Sequence, residues 1–256
     1  MSPQPYNDPP SYSDNLLGQQ QTSVDESNIP DDFKYSTNVA ACEPSIRSIF
    51  IRKVYALLLI QLLITFSVAT TIKLSTSLNQ WCLQNMWLMI VTTISTFVFL
   101  IVCFFTSRKY PYNLITLFLF TLCESYSVGV ITSLYDTNIV LQAIFLTMFI
   151  FLGLTVFAFQ SKYDFTSWLG FTNIVMFGLV GFGFVLIFIP YNSKLELIYS
   201  SISAVLFSVY ILVDTQLIMK TFHPEDEIAA TITLYLDIIN LFLNLLRILS
   251  ELNRDD

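Results

Sequence analysis

Charge is scarce in this sequence. Only 12% of the 256 residues are charged, against about 25% in an average soluble domain. With 54% hydrophobic residues, such a mixture does not build a fold with one water-facing surface. Basic residues form no face, which argues against nucleic acid as a partner. The four cysteines, Cys42, Cys82, Cys103 and Cys123, contain no CxxC pair, so neither a disulfide framework nor a zinc site is expected. The chain start is polar and has no apolar core of the kind a signal peptide needs. Asn-x-Ser/Thr sequons are absent, so glycosylation gives no topological clue.

What charge exists is unevenly placed. Residues 1–50 hold seven acidic and two basic residues, and six of the nine prolines. Few aliphatic residues accompany them, and the composition reads as a disordered, acidic, Pro-rich tail. Beyond Lys53 the character changes. Seven apolar segments follow, at Val54–Ile72, Met86–Phe105, Asn113–Ile131, Asn138–Phe159, Ser167–Ile189, Leu197–Met219 and Ile228–Leu249. Each is close to the ~20 residues that cross a ~30 Å hydrocarbon core as a helix. Lipid offers the backbone no hydrogen bonds, so helices are required. The reading is an all-α membrane protein, a bundle of seven antiparallel transmembrane helices over residues 51–252, with a short tail at 253–256. Gly178, Gly181 and Gly183 in segment five suit close helix approach.

Lys and Arg set the orientation. Lys34, Arg47, Arg52, Lys53, Arg108, Lys109, Lys162 and Lys220 fall on one side, and Lys73, Lys194 and Arg254 on the other. That bias puts the amino terminus in the cytosol. Segment seven is the most polar, and a re-entrant path for it stays open.

Three acidic residues lie well inside apolar segments: Glu124, Asp214 and Asp237. Intramembrane acids are costly and usually face a bundle interior or a wet cavity. Asp214 precedes Lys220 by six residues, ~9 Å at ~1.5 Å per residue, and Asp237 follows Ile228 by nine, ~13 Å. A short loop joins these segments, so the two carboxylates should sit at similar depth. On segment seven, Thr233, Asp237, Asn240, Asn244 and Arg247 share one stripe. On segment six, Ser203, Phe207, Tyr210 and Asp214 share another. Two close carboxylates in low dielectric do not both ionise readily, and they titrate as a unit. Such a pair senses pH, and when ionised it offers oxygens to a hard cation such as Ca²⁺. Arg108 ends segment two on the same side and is a candidate latch. Glu124, Tyr210, Asn240, Asn244 and Arg247 are candidate buried polar support. The alternative for each is a satisfied structural side chain.

Three phrases in the membrane segments carry a resemblance: DTQLI at residues 214–218, LYLDIINLFL at 234–243, and TLCES at 121–125. Together they resemble the Bax-inhibitor family, also called the transmembrane Bax inhibitor motif or lifeguard family, over roughly residues 45–252. The tail phrases IPDDFKYST at 29–37 and CEP at 42–44 are similar to fungal members. The resemblance implies a seven-helix fold with a central last helix. It implies a Ca²⁺ leak channel of an intracellular membrane, sensitive to H⁺, that modulates calcium homeostasis, the stress response and cell death. By motif, Asp214 and Asp237 take the positions of the family's pH-sensing pair, and Arg108 sits near its latching arginine. The carboxyl tail lacks the long basic extension of some animal members. No resident cofactor and no enzymatic activity are implied, and cell-death regulators are expected partners. The membrane is expected to be the endoplasmic reticulum, with vacuole, Golgi and mitochondrion as alternatives.

Other features stand outside this pattern. PPSY at residues 9–12 is a WW-domain ligand sequence through Pro9, Pro10 and Tyr12, and WW-bearing ubiquitin ligases fit it. His223 lies among acids before segment seven and reads as a solvated helix start. A non-conducting regulator of apoptosis, acting by protein contacts, is the competing function. An intramembrane aspartyl protease also uses two Asp residues, but the Gly-rich run here contains no Asp.

Overall fold

The computed structural model describes residues 39–42 and 44–254. Among them there are helices and no strand. The α-helices are α1 (Pro44–Leu74), α2 (Thr76–Gln84), α3 (Met86–Thr106), α4 (Tyr112–Ser133), α5 (Thr137–Gln160), α6 (Leu169–Leu186), α7 (Ser193–Lys220) and α8 (Glu227–Leu252). A 3₁₀ turn, Phe165–Trp168, leads into α6. All but α2 belong to the seven spans that are long and apolar enough to cross a membrane. The outward faces agree with that. Phe105, Phe149 and Phe177 are each 78% exposed, a surface suited to lipid rather than to water.

Two expectations change. Helix α1 starts at Pro44 and not after residue 50, so the end of the assigned tail is helical. Pro suits the first helical position because its missing N–H would have no partner there. Phe50 is buried in the main core, which anchors this early part of the helix, while the tail-like composition before it masked the signal. The second change is α2, which has nine residues, too few to span. Its Ser75 cap accepts from the Leu78 N–H at 3.4 Å, and Cys82 packs with Ile72 and Val130. The rest of the amino-terminal tail, including Pro9, Pro10 and Tyr12, lies outside the described residues.

Helix α8 packs against α7, α5, α1, α4 and α3. Buried residues make up 61% of its apolar stretch, compared with 6% for the span that contains α6. Helix α6 instead rests chiefly on α7. Side chains at the two ends hold the loops. At one end Arg108 meets Asp226 and Lys53 meets Glu227, and Lys220 meets Asp164. The buried Gln216 also accepts from the Phe165 N–H at 2.7 Å and donates to the Tyr163 carbonyl at 2.8 Å. At the other end Glu251 accepts from Tyr191 and from Ser193, and Arg247 meets Glu196. Lys53, Arg108 and Lys220, three of the basic residues assigned to one side by sequence, thus pair at one end of the bundle.

Close helix approach occurs elsewhere than the Gly-rich run suggests. A Cβ at Gly178 or Gly181 would meet nothing within 4 Å, and one at Gly183 would meet the movable Tyr199 hydroxyl. At Gly129 it would lie 2.8 Å from Ile72 Cδ1 and 3.2 Å from the Ala69 backbone. Helices α4 and α1 therefore touch there, and only glycine fits without a shift.

Candidate functional site

Because α6 leans on α7 and leaves α8, a cavity of about 640 Å³ opens between the three. Its α7 wall carries Tyr199, Ser203, Phe207, Tyr210, Asp214 and Leu217, and its α8 wall Thr233, Asp237, Asn240, Asn244 and Arg247. Both sequence-derived stripes thus face one space. The helical period aligns each stripe, and the loop between α7 and α8 brings them level.

Asp214 and Asp237 are each only 7% exposed. Their carboxyl groups are close enough to interact electrostatically. Asp237 Oδ2 has no hydrogen-bond partner among the described residues. A buried carboxylate oxygen in that position is costly, so the site favours a proton or a cation there. Tyr210 donates to Asn173 Oδ1 at 2.7 Å, which ties α7 to α6 in the cavity wall. Asn240 donates to the Leu236 carbonyl, and Asn244 to the Asn240 carbonyl, both at 2.8 Å. Each amide therefore lies back along its own helix while lining the space. Arg247 stands at the other end of the α8 stripe, 3.7 Å from Glu196. No group of three or more His, Cys, Asp or Glu side chains among the described residues could hold a metal. Two carboxylates fall short of the 6–8 oxygens that Ca²⁺ takes.

The chain matches the family described as Inhibitor of apoptosis-promoting Bax1 over residues 47–255. Bax inhibitor 1 of Schizosaccharomyces pombe is 35% identical over 248 residues, which cover 97% of this chain and 91% of that protein. Protein lifeguard 4 of Mus musculus is 36% identical, over 89% of this chain and 95% of its own length. The Golgi anti-apoptotic protein of Vaccinia virus is also 36% identical, over 89% and 96%. This chain belongs to the Bax inhibitor family.

Not every residue singled out in this family member reaches the cavity. Arg108 does not touch the Asp pair. Its Nε and Nη2 donate to Asp226 Oδ1 and Oδ2 at 2.8 and 3.0 Å. The hydrogen bond and charge of Asp226 hold the guanidinium above its ordinary pKa. The reason is position: Arg108 follows the end of α3, where the loop that starts α8 offers Asp226. Glu124 is also outside the cavity. It is half-buried on α4, beside Thr96 of α3. Asn173 and Gln216 were missed by sequence reasoning. Each is a lone amide within an apolar segment, and that isolation was the available signal.

The cavity's loop end has a further tie. The Val39 N–H donates to the Phe222 carbonyl at 2.9 Å, and Phe222 lines the cavity. Val39 is fully buried. Asp164 caps Thr166 at this end and meets Lys220. The Thr166 hydroxyl, and then Lys220, hold its carboxyl below the ordinary value.

Proposed function

We propose that this protein is a pH-sensitive Ca²⁺ leak of an internal membrane that moderates programmed cell death. The observation that carries the reading is the pair of buried carboxylates facing one cavity between three helices, each long enough to span. Two close carboxylates away from water share protons as a unit. With the pair protonated, little charge is left to draw in a cation. Ionised, it repels itself and attracts Ca²⁺. The other lining groups that carry or could carry charge are Tyr199 and Tyr210 on α7 and, farther along α8, Arg247. Calcium and protons are thus the sensed or transported ions, and no resident cofactor is required.

The relatives' names support the cell-death role. Members of this family include proteins called Bax inhibitor 1 and Golgi anti-apoptotic protein, and the chain is an anti-apoptotic membrane protein on that likeness. The Golgi name favours an internal membrane, either the endoplasmic reticulum or a compartment beyond it. The ties among Arg108, Asp226, Lys53, Glu227, Lys220 and Asp164 gather the basic end of the bundle. By the positive-inside bias that end faces the cytosol, together with the tail and its WW-ligand sequence.

Full-length protein in sealed liposomes tests this. Ca²⁺ influx is followed against pH for the wild type, Asp214→Asn, Asp237→Asn and the double variant. Flux that varies with pH in the wild type and is flat in the double variant is expected. Folded wild type without flux in tight liposomes contradicts the leak and favours a regulator that acts by protein contacts.

A further inference from the structure

The cavity is larger and more apolar than a passing cation needs. About 640 Å³ falls within the ~300–1,000 Å³ typical of small-molecule sites. Leu169, Met176, Leu179, Phe207, Leu236 and Leu243 supply apolar wall. A few polar groups converge on it, with the Asp pair toward one end, Tyr210 and Asn173 beside it, and Arg247 at the other. This combination of greasy wall and few directed polar groups is the pattern of a ligand pocket. Asp237 adds a detail: more than nine-tenths buried, it faces the Asp214 carboxyl and presents an oxygen that no described residue satisfies with a formed hydrogen bond.

A ligand that completes this site brings N–H donors and positive charge to the carboxylates, and an apolar body to the walls. We infer that the cavity between α6, α7 and α8 binds a protonated amine carried on a compact apolar body, with the ammonium at Asp214 and Asp237. Arg247 stands ten residues beyond Asp237, ~15 Å along the helix, and is paired with Glu196, so Asp214 and Asp237 are the acidic groups of the lining that an ammonium would meet. Helix α6 rests chiefly on α7, so the wall it forms is the one with fewest neighbours to displace. Occupancy would block the ion path, and that consequence rests on the leak reading. Binding itself does not.

Thermal unfolding of the full-length protein in nanodiscs, at neutral pH, tests the binding. The probes are 1-adamantanamine and its neutral counterpart 1-adamantanol. A ligand that binds only the folded state raises the midpoint, here by about 3 °C or more for the amine and under about 1 °C for the alcohol. Asp237→Asn is expected to abolish the amine's shift. Met176→Trp, which narrows the cavity and keeps both carboxylates, is expected to abolish it as well. Equal shifts from amine and alcohol overturn the inference, as does an amine shift that survives in Met176→Trp. The alcohol control and Met176→Trp decide the matter even if Asp237→Asn fails to fold. Amine-specific binding without Ca²⁺ flux keeps the ligand site and removes the leak. Flux without amine binding removes the ligand site and keeps the leak.

Discussion

On one face of α8, the Tyr235 hydroxyl is 2.8 Å from Thr65 Oγ1, which also meets Ser125 Oγ at 3.0 Å. Gln61 donates to Thr121 at 2.9 Å one turn away, and Phe120 packs edge-on against Tyr235. Two residues along, on the opposite face, Asp237 looks into the cavity with an oxygen unpartnered by any described residue. At ~100° per residue the two positions point about 160° apart. The contrast shows where polarity in this membrane protein is structural and where it is available. Toward α1 and α4, hydroxyls and the Gln61 amide nitrogen bond to one another in a tight core, where Gln61 Oε1 alone of these groups lacks a partner among the described residues. Toward α6 and α7, carboxylates and amides line a space.

The widest expected difference between the two faces is in access to water. In a cysteine-free background, Asn240→Cys should react with a small water-soluble thiol reagent at least about tenfold faster than Ser125→Cys, because reaction requires an accessible thiolate. Equal rates would erase the distinction. The packed side should next show itself in stability. Gly129→Val forces the α1 contact apart and should cost about 1–3 kcal/mol by overpacking, read from thermal or denaturant unfolding in detergent. Tyr235→Phe removes one hydrogen bond and should cost about 1 kcal/mol, leaving the pH response of the flux intact. Arg108→Gln should have the smallest effect, about 1 kcal/mol or less, because its pair with Asp226 is surface-exposed. If Arg108→Gln instead changes the pH response as strongly as Asp237→Asn, Arg108 reaches the pair in another state of the protein.

Much of this contrast is legible in the sequence, and the limits have physical causes. The seven spans follow from apolar runs of bilayer length, and the level of Asp214 and Asp237 follows from helical rise and a short loop. The two stripes follow from the period of the helix. What the sequence does not carry is which helix lies opposite a given residue. Gly178, Gly181 and Gly183 suggest a close approach, yet the close approach is at Gly129, because a local pattern does not name its neighbour. Arg108 is placed at the correct end of the bundle by its position after a helix, but its partner is Asp226. Helix α2 is missed because nine mixed residues look like a loop beside segments of bilayer length. The space beside α6 is invisible because a missing contact between α6 and α8 leaves no mark on either helix alone.

The central claim is that the cavity face of α8, and not its packed face, sets the ion response. Ca²⁺ influx into liposomes, measured across pH for Asp237→Asn and Tyr235→Phe side by side, tests it most directly. The account predicts a pH dependence lost in Asp237→Asn and retained in Tyr235→Phe. Loss in both, or retention in both, would contradict it.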